Sequence, residues 1–249
     1  MAASLRETAV PPLALLAGGL ATRLGSVTER LPKSLVAVAG EPFIAHQLRL
    51  LAGQGIHDVV ICCGHRGEMI ADFAGDGARF GCRVRYSFDG RRALGTGGAI
   101  HNALPLLGPQ FWVMYGDSYL TAPFAPVLEA FEESGKPALM TLFRNDGQWE
   151  ASNVEFTEGR ITRYAKAAQS EAMWHIDYGL GIFSAEAFAG WSILRTFELS
   201  LVQSELAAGG AMAGFEVTER FYEIGSVAGL AETDAFLRER ALEESGVLS

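Results

Sequence analysis

Gly18 and Gly19, followed by Arg23 and then Lys33, stand between a short apolar run and an amphipathic one. Glycine lets backbone N–H groups approach an anion closely, and Arg and Lys bring positive charge to the same anion, so this spacing points to phosphate. A second cluster, Leu94-Gly95-Thr96-Gly97-Gly98-Ala99, opens a predicted helix. Its unshielded backbone suits a flat base or a phosphate, and equally a simple helix cap. The third is Tyr115-Gly116-Asp117-Ser118, where a carboxylate leaves the end of an apolar strand. Beside a phosphate loop such a group suits Mg²⁺, and in isolation it reads as a turn residue. The two common nucleotide loops fail on spacing: no G-x-x-x-x-G-K-[ST] string occurs, and Gly18, Gly19 and Ala21 do not fit G-x-G-x-x-G.

These clusters need elements to hold them. Residues 12–17, 58–63, 83–88, 111–115 and 138–143 read as buried strands, and 42–52, 68–73, 98–107 and 125–134 as helices. Strand and helix alternating over short connections imply a mostly parallel sheet covered on both faces, with the clusters at the carboxyl ends of strands, where open α/β sheets bind ligands. After about residue 145 the rhythm changes to short strands at 153–156, 160–164 and 176–183, then helices at 197–208 and 227–243 around a strand at 221–224. The expectation is one unit, with a nucleotide-binding half over about 13–145, an inserted lobe over about 146–225 and a C-terminal helix over 226–249.

The 249 residues carry a net charge of −9, with no Lys/Arg run to neutralise a nucleic-acid backbone. Cys62, Cys63 and Cys82 make neither a C-x-x-C pair nor a disulfide framework, and five scattered histidines form no zinc cluster. No apolar run approaches the roughly 20 residues of a membrane span, and the amino-terminal residues lack a signal-peptide pattern. A cytoplasmic protein without membrane or nucleic-acid partners is expected. Trp112, Phe131 and Phe188 follow the apolar periodicity of core positions, while Trp149 and Trp174 flank the inserted lobe, where lobe packing or a subunit contact in a homodimer would use them.

In this order the three clusters resemble the sugar-1-phosphate nucleotidylyltransferases over nearly the whole chain. GGLATRL and PKSL resemble the signature loop, LGTGGA the base-binding segment and GDS the metal-binding segment; FAGDGARFG with YSF and LGTGGAI is most similar to the heptose-1-phosphate guanylyltransferase branch. The resemblance implies a Rossmann-like mixed, mostly parallel sheet with helices on both faces and a small sugar-binding lobe. Arg23, Lys33 and Asp117 would be catalytic, with Leu16, Ala17, Gly18, Gly19, Gly95, Thr96 and Gly116 also at the nucleotide. Asn153, Lys166, Asp177 and Gly179 would meet the sugar phosphate, and Asp117 and Glu223 would hold Mg²⁺. The substrates implied are an NTP, with GTP first, and a sugar 1-phosphate, with a heptose phosphate first; a uridylyltransferase or a mannose-1-phosphate guanylyltransferase is the alternative.

Three positions depart from the family pattern: Ala21 replaces a glycine, Ala165 an acidic residue and Glu223 an aspartate. They open a reading from another class, a nucleotide-sugar-binding regulator without chemistry. A glycosyltransferase is disfavoured because GDSYL supplies one carboxylate where a D-x-D pair is needed.

Overall fold

The computed structural model describes residues 10–19, 31–147, 151–166 and 170–246. In chain order the elements are β1 (Leu13–Leu16), β2 (Ala37–Val38), β3 (Glu41–Pro42), α1 (Phe43–Gly53), β4 (Asp58–Cys63), α2 (Gly67–Ala74), β5 (Arg83–Phe88), α3 (Gly95–Leu107) and β6 (Gln110–Tyr115). They continue with β7 (Ser118–Leu120), α4 (Ala125–Ser134), β8 (Ala138–Arg144), β9 (Val154–Thr157), β10 (Arg160–Tyr164), β11 (His175–Ser184), α5 (Leu199–Ala208), β12 (Met212–Val217), β13 (Phe221–Glu223) and α6 (Val227–Glu244).

Among the described residues, nine strands form one sheet in the order β5-β4-β1-β6-β11-β8-β12-β10-β9. The β5, β4, β1 and β6 strands run parallel, so their carboxyl ends and the loops that follow share one edge. The four residues of β1 are all buried, as a strand central to a doubly covered sheet requires. One apolar layer gathers Ile44, Leu48, Trp112 and Phe131 on one face of the sheet, and a second gathers Ile100, Phe111, Phe188 and Val202 on the other. This is the Rossmann-like mixed α/β fold expected from the sequence, with Trp112, Phe131 and Phe188 in the core.

Strands on both sides of residue 145 share this sheet, and β11 is the joint. It runs antiparallel to β6 on one side and to β8 on the other, with an irregularity in its β8 pairing between Asp177 and Gly181. Gly179 lies in that stretch at φ +94°, a conformation that suits glycine.

Sequence reasoning missed β12, which pairs in parallel with β8 inside the sheet. Its residues Met212-Ala213-Gly214-Phe215 follow Gly209-Gly210, so the segment reads as a turn; Gly214 is there because a Cβ would stand 2.5 Å from the Phe156 ring. The short pairs β2–β3 and β7–β13 were missed as well. The helix expected from residue 98 starts at Gly95, so the three glycines lie in its first turn and not ahead of it.

Candidate active site

A cavity of about 390 Å³ opens at the carboxyl edge of the parallel strands. Leu16, Ala17, Gly18 and Gly19 after β1, Gly95 and Thr96 at the start of α3, Gly116 and Asp117 after β6, and Lys33 all line it. Every nucleotide-contact residue anticipated from the sequence thus falls on one cavity, except Arg23, which lies outside the described residues, as do Ala21 and Trp149. The β1 end is tied down on both sides: the Ala17 N–H donates to the Cys62 carbonyl at 3.0 Å, and the Gly116 N–H donates to the Leu16 carbonyl at 3.0 Å.

Lys33 sits in a single 3₁₀ turn with its side chain only 13% exposed, and its ammonium donates to Asp117 Oδ2 at 2.7 Å. The 115–118 turn is fixed from beneath by Gln47, a fully buried residue on the apolar side of α1. Its amide donates to the carbonyls of Tyr115, at 3.2 Å, and Ser118, at 2.9 Å. A polar residue in the middle of an apolar helix face was the available signal for this role, and sequence reasoning passed it over.

The glycine cluster is explained by a partner a hundred residues away. The N–H groups of Gly97 and Gly98 donate to the Phe197 carbonyl at 3.1 and 3.2 Å, and the Phe197 N–H donates to the Leu94 carbonyl at 3.0 Å. A Cβ on Gly95 would lie 2.4 Å from that carbonyl oxygen, and one on Gly97 would lie 2.5 Å from the Phe197 ring. Glu198 completes the clasp by accepting from the Thr96 hydroxyl at 2.7 Å and from the Thr96 N–H at 3.3 Å. So the amides of Gly97 and Gly98 are bonded to the 191–199 strap. Sequence reasoning expected them bare for a ligand.

The strap brings Glu198 to the cavity wall, and the turn after β5 brings Asp89. Neither was singled out from sequence. The cavity is therefore polarised, with Lys33 and the glycine amides toward one end and two acceptor carboxylates toward the other.

A second cavity of about 610 Å³ adjoins the first; Tyr115, Asp117 and Gly225 line both. Asn153, Lys166, Asp177 and Gly179, the anticipated sugar-phosphate residues, all line this second cavity. The Lys166 ammonium lies 5.2 Å from the centre of the Tyr115 ring, within cation–π range. Asp177 is held by four groups: it accepts from the Gly179 N–H at 2.9 Å, the Tyr164 hydroxyl at 3.3 Å and the Gln203 amide at 3.4 Å, while its own N–H donates to Asn153 Oδ1 at 3.1 Å. Burial pushes the Asp177 carboxyl above the usual carboxylate range, against the pull of Lys166 and these donors. Burial, with Asp177, Asp117 and Glu198 nearby, also raises the Tyr115 phenol well above its ordinary value. The Tyr115 hydroxyl is buried and has no hydrogen-bond partner among the described residues.

Glu223 reaches the second cavity because β13 pairs with β7, Glu223 opposite Ser118, and because the Ile224 N–H donates to the Asp117 carbonyl at 2.9 Å. Its carboxylate, however, is engaged by its own loop, accepting from the Gly225 N–H and, at 2.7 Å, from the Ser226 hydroxyl. Ser226 in turn accepts from the Gly229 N–H at 2.9 Å and so caps α6. Asp117 is suited to a hard divalent cation, which takes one or two carboxylates and completes its shell with water and phosphate oxygens. Glu223, in this arrangement, serves the helix terminus. Among the described residues no group of three or more His, Cys, Asp and Glu side chains converges as a metal site, and no helix is long and apolar enough to cross a membrane.

This arrangement coincides with a known family. Residues 14–153 match the model for nucleotidyl transferases, and the chain belongs to that family. It is 35% identical over 129 residues to the glucose-1-phosphate thymidylyltransferase of Streptomyces antibioticus, covering 51% of this chain and 36% of that one. It is 32% identical over 105 residues to the D-glycero-alpha-D-manno-heptose 1-phosphate guanylyltransferase of Campylobacter jejuni, covering 42% of this chain and 47% of that one. The matches therefore span less than half the length of either relative. HddC from Yersinia pseudotuberculosis, in complex with GMP-PN, shares the fold, with a TM-score of 0.76 over 92% of this chain and 100% of that one at 21% identity.

Proposed function

We propose that the protein transfers a nucleoside monophosphate from an NTP to a sugar 1-phosphate. The observation that carries this reading is the pair of adjoining cavities sharing Tyr115 and Asp117, one with Lys33 and the β1 glycines, the other with Lys166. An oxygen of the sugar phosphate forms the new bond to the α-phosphorus, the bond from that phosphorus to the β-phosphate oxygen breaks, and pyrophosphate leaves. A phosphate oxygen is already anionic at neutral pH, so no general base is needed; alignment and charge neutralisation are.

In this reading Lys33 leaves Asp117 for the triphosphate, Lys166 binds the sugar phosphate, and Arg23 adds charge on the triphosphate. Gly18 and Gly19 leave the backbone unobstructed beside the phosphates, and Leu16, Ala17, Gly95, Thr96 and Gly116 line the nucleoside. Members of this family generally depend on a divalent metal; Asp117 would hold it, and Mg²⁺ would supply charge neutralisation on the phosphates. Asp177, Asn153 and the Gly179 bend face the sugar, and a buried carboxylate there favours hydroxyl-bearing sugars over anionic ones. GTP and a heptose phosphate are the proposed pair, on the resemblance of the FAGDGARFG and LGTGGAI segments. The three cysteines are buried and unpaired, which suits a reducing cytoplasm.

The test is Mg²⁺-dependent pyrophosphate release with each of the four NTPs against heptose, mannose, glucose and amino-sugar 1-phosphates. Release is expected with GTP and a heptose phosphate. Release with another pair would correct the substrates, and nucleotide binding without release from any pair would overturn the transferase reading in favour of a binding regulator.

A further inference from the structure

Asp89 closes the end of the first cavity remote from Lys33 in the sequence of lining elements, directly after β5. Its position is fixed by two contacts. The Asp89 N–H donates to the Cys63 carbonyl at 2.9 Å, and Asp89 Oδ2 accepts from the Leu94 N–H at 3.1 Å. The carboxylate is half-buried, and Oδ1 has no partner among the described residues. The surrounding wall is built from small side chains, Cys62, Ala93, Gly95 and Ala99, which leave room for a flat ring. Thr96 cannot serve as a free donor here, because its hydroxyl already donates to Glu198 and accepts from the Leu199 N–H at 2.8 Å.

An ionised carboxylate only accepts hydrogen bonds, each oxygen offering two lone pairs. Oδ1 is free, and Oδ2 keeps one lone pair after serving Leu94. The nucleobase edge that complements this pair of acceptors must present two neighbouring donors. Guanine does so with N1–H beside its 2-amino group. Uracil and thymine offer one N–H flanked by two carbonyl oxygens, which a carboxylate repels. Adenine and cytosine each place an acceptor nitrogen next to a single amino group. A base lacking the matching donors leaves the half-buried carboxylate without partners, which is how hydrogen-bonding sites reject close analogues.

We infer that Asp89 is the residue that selects guanine, accepting from N1–H and the 2-amino group of the bound nucleotide. This rests on the nucleotidyl-transfer reading of the cavity and adds a base-reading residue to it.

The experiment is equilibrium binding of GTP, inosine triphosphate, xanthosine triphosphate and UTP to the wild type and to Asp89→Asn, by calorimetry without sugar phosphate. Inosine triphosphate lacks only the 2-amino group, so the wild type should bind it roughly tenfold more weakly than GTP. Asparagine keeps an oxygen for the Leu94 N–H and for N1–H, but turns its NH₂ toward the guanine amino group. Asp89→Asn should therefore lose roughly ten- to a hundredfold in GTP affinity. The same variant should gain affinity for xanthosine triphosphate, whose 2-oxo group accepts from that NH₂, and this gain also demonstrates an intact fold. Equal binding of GTP and inosine triphosphate by the wild type, preference for UTP, or unchanged GTP affinity in Asp89→Asn each overturns the inference. Pyrophosphate release is scored separately. Its absence beside the expected binding pattern would sink the transferase reading and leave the role of Asp89 standing.

Discussion

Gly97→Ala should destabilise the protein although alanine is the better helix former. In a helix interior the exchange is favourable by about 1 kcal/mol. Against that, the new methyl would stand 2.5 and 2.6 Å from two carbons of the Phe197 ring and 3.0 Å from the Glu198 carbonyl carbon. Phe197 cannot retreat freely, since it is 5% exposed and stacks on Trp191 with ring centres 4.7 Å apart. Overpacking of this kind costs about 1–3 kcal/mol. If the strap lifts, the two bonds from Gly97 and Gly98 to the Phe197 carbonyl weaken, each worth about 1 kcal/mol. The net expectation is a loss of about 2 kcal/mol, or about 4–8 °C in Tm for a chain of this size. The assay is urea unfolding of a double-mutant cycle with Phe197→Ala, which alone should cost about 3–5 kcal/mol. With the ring gone the added methyl meets nothing large, so Gly97→Ala should become neutral or stabilising in that background. An equal cost in both backgrounds, or a more stable Gly97→Ala single variant, would refute the account of why these glycines are there.

Lys33→Met removes the ammonium from Asp117 and from the proposed triphosphate end, and steady-state kinetics should show kcat/KM lower by on the order of 10²-fold; an unchanged value removes Lys33 from the mechanism. Burial pushes the Cys63 thiol up to about 12 and the Cys82 thiol to about 11, so alkylation at pH 8 should be slow in the native state and complete in urea. Because the folded values are raised, the stability tied to these neutral thiols is present in full below their ordinary value near 9 and is lost as pH rises toward 11–12; urea midpoints should fall over that window, and less so in Cys63→Ala. Asp234 is held below its usual range by Arg238 and by the Ala39 N–H, which donates to it at 2.7 Å and ties the β2–β3 pair to α6. That contribution is present above the ordinary carboxylate value and fades as pH falls through the lowered one; Asp234→Ala should lower stability at neutral pH by less than about 1 kcal/mol, as unfolding curves would show.

What the sequence made legible were features with a local cause. The strands 58–63 and 83–88 have the bounds read from their apolar runs, and the helix 125–134 those read from its periodicity. Leu16, Gly19, Gly95 and Asp117 reach one cavity because short strand-to-loop segments in a parallel sheet must share an edge. Features with a distant cause were not legible. Nothing near Gly97 announces Phe197, and Gly209-Gly210 masks the strand that follows. Glu223 was read as a metal ligand from its place in a motif, whereas the direction of its carboxylate depends on Ser226 and the start of α6. Asp89 and Glu198 were overlooked because a lone acidic residue in a loop carries no sign of the cavity it lines.

The double allegiance of β11 bears on how such proteins diversify. It pairs with β6 of the parallel half and with β8 and β9 beyond it, and its bend at Gly179 sits between the two cavities. Deleting one residue there would turn Asp177 to the opposite face of the sheet. A new sugar preference cannot be acquired by swapping residues 146–225 as a cassette, because the exchanged block would have to reproduce the register of the recipient's own β6. Diversification is channelled instead into point changes along a strand whose pairing stays fixed, and a laboratory chimera should place its crossovers to keep β6, β8 and β11 from one parent.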